Sequence, residues 1–306
     1  MKDRIYIRSS SCISAQDTFS NPLWHNNLRS PVNNVFSCME PDYKEIIDSA
    51  SLRRMNRTQK FGLCTALSAL RGVDKAVDAI IIATGWGCID STYRFLERMF
   101  DQKELPLNPA VFIQSTHNTI AAQTAIYLKN KAFNNTVTDN RIPFELAMDN
   151  AILCLHDDDC RNVLLGACDE TTPQLIDILN KIAKFGKPAG FYGEGGACFI
   201  LSKERENSIA EIKYFDSMPI EDLPDAVNDL SAKYSVDYIF TARKRNIPQI
   251  SYTDYFGDFP TSAACGFWLA VDCLNSNSHI TPDAQNILLI SENKHGMTFV
   301  TVVGKW

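Results

Sequence analysis

The chain has 306 residues, of which 45% are hydrophobic and 22% are charged, and this composition is typical of folded globular proteins and excludes wholesale disorder. Acidic residues outnumber basic ones by 36 to 30, which gives a formal charge of −6 and argues against nucleic acid as a partner, because DNA-binding proteins usually carry a basic surface. No apolar run approaches the ~20 residues that cross a bilayer, and no apolar segment follows the charged amino terminus, so we expect neither a membrane helix nor a secretory signal.

The ten cysteines are scattered along the chain and form no Cys-x-x-Cys motif. A chain of this size does not need disulfides to fold, so we expect reduced thiols and a cytoplasmic protein. Cys154, His156 and Cys160 are the only closely spaced residues of metal-ligand type, and packing of Cys154 among apolar residues is the favoured interpretation. We therefore expect no metal and no cofactor.

Apolar patterns predict strands and helices that alternate along the chain, which indicates an α/β fold. In chain order, we expect strands at 3–8, 79–83, 109–114, 136–138, 161–166, 197–201, 209–215, 237–241, 250–253, 286–290 and 297–303. We expect helices at 57–71, from Asp90 or Ser91 through Met99, within 117–130, and at 143–155, 223–234 and 262–274. The run 79–83 is wholly apolar, as is typical of a strand buried on both faces. A turn is expected at 293–296.

A polar stretch near residue 206 divides the chain into a first half, 1–205, and a shorter second half, 206–306. The two halves share no visible repeat of residue identities. Their elements nevertheless follow one another in a similar order, which predicts a structural duplication.

Six sequence strings occur in a fixed order, namely ATGWGCIDS at 83–91, FIQSTHNT at 112–119, the stretch 134–155, VLLGACDE at 163–170, GEGGACFIL at 193–201 and YTDYFGDFPTSAACGFWLAVDCL at 252–274. Together they resemble the β-ketoacyl synthase family over nearly the whole chain. The N-terminal strings are also similar to divergent members tied to aryl polyene and flexirubin-type pigment pathways. The resemblance implies a thiolase-like fold, a duplicated αβαβα layered architecture with a reduced C-terminal half.

In active members of this family, a cysteine nucleophile heads a buried helix and two histidines polarise the thioester. The resemblance places Arg141 at the position of that cysteine, and no cysteine occurs from Asn134 through Ala151. It places the first histidine near Ala242 and Arg243 and the second at Asp258. The resemblance therefore implies a chain that has no condensing residues at the usual site.

Family members work as dimers, so the resemblance also implies a partner. The expected partner is an active ketosynthase, whose acyl pocket this chain would shape as a chain-length factor does, or else a second copy of the chain, and an acyl carrier protein is expected to meet the pair. The helix within 117–130 matches the family's dimer-interface region. The candidate pocket or interface residues are His117, Asn118, Ala121, Ala122, Ala125, Arg141, Phe144 and Asp258.

The surroundings of Arg141 are open at this point. Its guanidinium is expected either to pair with a carboxylate, with Asp139, Glu145 and Asp258 as the candidates, or to be solvated. His117 is equally well interpreted as a surface residue.

Two other functions remain open. One is relocated thioester chemistry on a thiol such as Cys168, for which a structural role is the favoured interpretation because no base lies nearby in sequence. The other is a homodimeric binding or scaffolding protein.

Arg53, Arg54, Arg57 and Lys60 form the densest basic cluster of the chain. A solvated helix face is the favoured interpretation of this cluster, and contact with an acidic carrier protein is the alternative.

Overall fold

The computed structural model describes residues 4–73, 76–101, 109–183, 190–242, 248–276, 278–292 and 296–306. The described residues form twelve strands and ten α-helices. The strands are β1 (Ile5–Ile13), β2 (Val35–Phe36), β3 (Ala79–Thr84), β4 (Phe133–Thr138), β5 (Asn162–Asp169), β6 (Tyr192–Gly193), β7 (Gly195–Ser202), β8 (Ala210–Pro219), β9 (Tyr238–Thr241), β10 (Ile250–Ser251), β11 (Asn286–Glu292) and β12 (Met297–Gly304). The helices are α1 (Ser49–Leu52), α2 (Arg57–Ala69), α3 (Ile89–Asp101), α4 (Pro109–Ser115), α5 (Thr119–Leu128), α6 (Pro143–His156), α7 (Pro173–Ala183), α8 (Leu223–Tyr234), α9 (Thr253–Phe256) and α10 (Ser262–Asn275).

Ten of these strands form one sheet in the order β10-β9-β11-β12-β8-β1-β7-β5-β3-β4. The two halves of the sheet have the same strand order. From the outer edge to the centre, this order is β4-β3-β5-β7-β1 in the first half and β10-β9-β11-β12-β8 in the second. If the five strands of each half are numbered in chain order, both read third, second, fourth, fifth, first. The fifth strand, β7 or β12, is antiparallel to both of its neighbours, and the remaining neighbours within each half are parallel. The two halves meet where β1 pairs antiparallel with β8. The duplicated thiolase-like architecture that the resemblance implied is therefore confirmed.

Helices form layers on both sides of the two half-sheets. The central helices α6 and α10 share one apolar core with inward-facing residues of both halves, for example Ile81 and Ile287. A second core lies under α2 and α5 on the outer face of the first half, and a third lies under α8 on the outer face of the second half. This arrangement is an αβαβα stack, and its second half is reduced, since β9 and β10 have four and two residues.

Local sequence explains where the main elements begin. Every residue of β3 is buried, as expected for a parallel strand covered on both faces. A capping box starts α2, because Asn56 accepts the N–H of Gln59 while the Gln59 side chain accepts the N–H of Asn56. Pro143 opens α6, where a missing N–H leaves no helical hydrogen bond unmade.

One predicted strand is wrong. Residues 109–115 form helix α4, with Phe112 and Ile113 more than half exposed, whereas the apolar run had indicated a buried strand. A short apolar run cannot distinguish a strand from a helix by periodicity alone, and Pro109 suits the first position of a helix.

Smaller differences concern element ends. Helix α3 starts at Ile89, so Asp90 lies in its first turn rather than at its cap. Strand β10 ends at Ser251, and the chain then turns into α9. Most of the expected turn at 293–296 lies outside the described residues.

Candidate functional site

The parallel strands of both halves end at the edge of the sheet that carries the predicted site. Gly85 follows β3, Asp139 follows β4, and Ala242 follows β9. In open α/β sheets, ligands gather at such carboxyl ends.

Arg141 lies at the head of α6, two residues before Pro143. Asp139 fixes this start, because its Oδ1 accepts the backbone N–H of Arg141 at 2.8 Å and that of Ile142 at 2.9 Å. The Asp139 carboxylate is thus engaged with the backbone of the turn that presents the Arg141 side chain.

The Arg141 guanidinium pairs with Asp258. Its Nη1 lies 4.0 Å from Asp258 Oδ2, and about a third of each side chain is exposed, at 30% and 31%. Of the three carboxylates that the sequence left open, Asp258 is therefore the ion-pair partner. Arg141 and Asp258, which the resemblance aligns with the family's cysteine and second histidine, therefore form an ion pair.

Backbone contacts hold Asp258 in place. Its N–H donates to Phe191 O at 2.7 Å, and its own carbonyl accepts the N–H of Gly193 at 3.3 Å. Gly257 has φ +81°, and a Cβ there would lie 2.5 Å from Tyr192 O, so a glycine is required before Asp258. The position of Asp258 is a property of this tight turn rather than of the ion pair.

The other predicted histidine position contains no titratable group among the described residues. Ala242 follows β9, and its carbonyl accepts a hydrogen bond from Thr253 Oγ1 at 2.7 Å. Arg243 lies outside the described residues.

The sequence offers Glu145 only as a possible partner for Arg141, yet its carboxyl has the most unusual surroundings in the site. It lies in the first turn of α6, is 4% exposed, and its Oε2 has no hydrogen-bond partner among the described residues. Burial raises its pKa to about 7, and an interaction with Ser291 of β11 only partly opposes that rise. The Glu145 carboxyl is therefore largely protonated below neutral pH.

The sequence missed Asp169, the fully buried residue that joins the strand ends to α10. Its carboxylate accepts hydrogen bonds from Thr84 Oγ1 at 2.7 Å, Trp86 N at 2.8 Å, Gly85 N at 3.0 Å and Thr261 Oγ1 at 2.9 Å. Burial nonetheless raises its pKa. In the sequence, Asp169 stands beside Cys168 in the string VLLGACDE, and no local pattern marks it as a contact residue.

Cys168 itself is buried inside the first half. Burial, reinforced by the neighbouring Asp169 carboxylate, raises the pKa of its thiol well above the ordinary value. Because the thiolate is the nucleophilic form, this thiol is poorly suited to thioester chemistry.

The remaining candidates fall in two environments. His117 and Asn118 are exposed at the start of α5, and the His117 ring lies against Gly87.

The other candidates are more buried. Ala121 is fully buried, Ala125 packs against the apolar core under α2 and α5, and Ala122 is half-buried. Phe144 is 3% exposed and contacts the rings of Phe199 and Phe267 at centroid distances of 5.8 Å. Ala121, Ala125 and Phe144 therefore pack inside this subunit.

The basic cluster does not act as one surface. Arg57 Nη1 and Nη2 each lie 2.6 Å from an oxygen of Glu194, and Arg57 Nε lies 2.6 Å from Glu40 Oε1. Arg53 and Arg54 are exposed, and Lys60 is half-buried. Arg57 is thus a structural residue, unlike its neighbours.

The described residues contain no group of three or more His, Cys, Asp or Glu side chains that could hold a metal ion. They also contain no helix with the length and apolar character needed to cross a membrane.

Comparison with known proteins places these features in context. The family model "Beta-ketoacyl synthase, N-terminal domain" matches residues 24–207, more than half of the chain. No curated protein matches the chain.

Several solved structures share the fold at low identity. A type II polyketide synthase acyl carrier protein in complex with its ketosynthase bound to the hexaketide (AntDE:AntF) contains a chain with TM-score 0.81 and 14% identity, with 100% of each chain covered. The ishigamide ketosynthase/chain length factor gives TM-score 0.75 and 16% identity over 99% of each chain. The ketosynthase ApeO in complex with its chain length factor ApeC, from Xenorhabdus doucetiae, gives TM-score 0.61 and 13% identity over 99% of this chain and 100% of that one.

Proposed function

This chain belongs to the β-ketoacyl synthase family, and from that premise we propose that it is a chain-length-factor-like subunit. In this role it pairs with an active ketosynthase and shapes the acyl pocket of that partner without condensing acyl units itself. An acyl carrier protein delivers substrate to the pair in the cytoplasm, in a fatty acid, polyene or polyketide type of pathway.

The observation that carries this proposal is the ion pair at the head of α6. Arg141 Nη1 and Asp258 Oδ2 lie 4.0 Å apart where the resemblance calls for a nucleophilic cysteine and a histidine. A guanidinium is always protonated and is no nucleophile at neutral pH, and an ionised carboxylate has no proton to donate to an oxyanion. The pair therefore supports a subunit that forms no acyl-enzyme at this site.

An apolar face on the first half supports the pairing. Large apolar side chains of α3, α4, α5 and β4 are more than half exposed, namely Leu96, Phe100, Phe112, Ile113, Ile126 and Phe133. Strand β4 also ends the sheet and pairs, among the described strands, only with β3. Monomeric proteins seldom expose apolar patches and open strand edges together, whereas obligate interfaces are apolar.

Relocated thioester chemistry has less support. Cys154 is one of the two half-buried cysteines, and the other eight are buried. Burial raises the pKa of the Cys154 thiol as well. No observation favours a second candidate function over the first.

Reconstitution tests the proposal. The chain is purified alone and together with an active ketosynthase of the same source, and condensation of acyl and malonyl carrier proteins is assayed. We expect no turnover by the chain alone, and a stable complex that changes product length or rate relative to the ketosynthase alone. Robust turnover by this chain alone contradicts the proposal.

A matched pair of variants tests the face. Ile113→Asp places a charge on the apolar face. The control, Leu153→Asp, places a charge on α6, outside that face, where the leucine is about equally exposed, at 60% against 62% for Ile113. We expect Ile113→Asp to abolish complex formation in size-exclusion chromatography and Leu153→Asp to leave it intact. A chain that forms only homodimers and ignores the ketosynthase would instead favour the scaffolding alternative.

A further inference from the structure

A surface depression of about 500 Å³ lies between the chain around residues 41–44 and the helices α1 and α2. Its volume is within the ~300–1,000 Å³ of ordinary small-molecule sites. Pro41, Tyr43 and Leu52 give it an apolar wall. The depression therefore has the size and one of the surfaces that a small organic ligand needs.

Three cations line the same depression, each from a different part of the chain. Lys44 comes from the turn before α1, Arg53 from the end of α1, and Lys60 from α2, and Asp42 is the only carboxylate in the lining. Asp42 Oδ1 accepts the backbone N–H of Lys44 at 3.0 Å. The lining therefore carries three positive charges and one negative charge, on a chain whose net charge is −6.

Two acids of this region, Glu40 and Glu194, are engaged by Arg57. Glu40 binds Arg57 Nε and also accepts from the Tyr43 hydroxyl at 2.9 Å, and Glu194 binds both terminal nitrogens of Arg57. In the part of the chain that the structure describes, neither Lys44, Arg53 nor Lys60 has a carboxylate within 4.0 Å. Because Arg57 binds Glu40 and Glu194, neither of these two acids pairs with a cation of the depression.

We propose that this depression binds a small amphipathic organic anion. A phosphate or carboxylate lies among Lys44, Arg53 and Lys60, and the aryl or hydrocarbon part of the ligand packs on Tyr43 and Leu52. The planar guanidinium of Arg53 suits bidentate contact with either anionic group, and the two ammonium groups act as point charges. The inference does not depend on the proposed pairing with a ketosynthase.

Titration of the full chain with four probes tests it. The probes are phenyl phosphate, phenylacetate, inorganic phosphate and benzyl alcohol, followed by calorimetry and by amide shifts in NMR spectra. We expect saturable binding of at least one of the two aryl anions, at least tenfold tighter than inorganic phosphate or the uncharged alcohol. The better of the two aryl anions identifies which anionic group the site prefers.

Matched triple variants separate a site from general charge. Lys44→Gln, Arg53→Gln and Lys60→Gln together are expected to weaken the aryl anion at least tenfold. The control combines Lys131→Gln, Arg161→Gln and Lys181→Gln, which removes the same charge from exposed positions outside the depression and is expected to change affinity less than twofold. Thermal unfolding of both triple variants checks that each is folded.

Leu52→Ser isolates the apolar wall. It is expected to weaken the aryl anion at least threefold and to leave inorganic phosphate unchanged. Equal losses in the two triple variants, the absence of saturable aryl-anion binding, or amide shifts confined to other regions would each overturn the proposal.

Discussion

Arg57 and Arg141 carry the same guanidinium and are about equally exposed, at 33% and 30%, but their partners differ. Arg57 binds Glu194, which is 3% exposed, through two contacts of 2.6 Å, whereas Arg141 reaches Asp258, which is 31% exposed, through one contact of 4.0 Å. A short, bidentate contact to a buried acid fixes structure, and a long contact between solvated groups contributes little to stability. The comparison indicates that the ion pair at the predicted active site is not required for folding.

Removing the buried acid should have the largest effect. Glu194→Ala leaves Arg57 without its main partner and also removes the acceptor for the N–H groups of Cys38 and Thr171. We expect the free energy of unfolding to fall by about 4 kcal/mol, because breaking a buried pair strands the remaining groups. Urea unfolding measures this, with the exposed Glu206→Ala as the control. A loss no larger than that of the control would remove the distinction between the two arginines.

Glu145 extends the comparison, because it is a buried carboxyl that forms no ion pair among the described residues. Its pKa is about 7 in the folded chain against 4.5 for an ordinary glutamate, so the folded state holds a proton that the unfolded state releases between these pH values. The contribution of Glu145 to the free energy of unfolding is therefore fully present below pH 4.5 and is lost as the pH rises to about 7. Over that window, we expect wild type to lose roughly 3 kcal/mol relative to Glu145→Gln.

Urea unfolding at several pH values between 4.5 and 7 checks this expectation. Glu206→Gln, on the surface, provides the control for a change of charge alone. Parallel stability curves for wild type and Glu145→Gln would show that Glu145 titrates normally in the folded chain.

The smallest effect is expected at the ion pair itself. Arg141→Ala should change the free energy of unfolding by less than about 1 kcal/mol, because the pair is long and partly solvated. The same denaturation experiment applies, with Arg161→Ala as a control at an exposed arginine. A loss as large as that of Glu194→Ala would mean that Arg141 is a structural residue after all.

Much of the fold could be predicted from the sequence, because the buried face of a helix or strand requires apolar residues at a regular spacing. The apolar run of β3 and the helical spacing in α2 and α6 were sufficient to locate these elements. The run at 109–114 was not, because six residues fit either a strand or a helix and only packing decides between them. In α4 the apolar side chains are exposed, so the usual link between an apolar run and a buried strand is broken.

The candidate site was predictable in part. The absence of a cysteine from Asn134 through Ala151 is a fact of the sequence, and the resemblance supplied the position of Arg141. The importance of Asp169 was not visible, because its donors come from the end of β3 and the start of α10, which are distant in sequence. No local pattern records such a contact.

The sequence by itself determined which chemical groups are present: a guanidinium at the head of α6, a glycine before Asp258, and an acidic chain with one dense group of basic residues. The tertiary structure alone decided how they pair, joining Arg141 to Asp258 and Arg57 to Glu194 while leaving Lys44, Arg53 and Lys60 around an open depression. The physical reason is that electrostatic and hydrogen-bond energies depend on distance and burial, and both are set by where the ends of separate strands and helices meet.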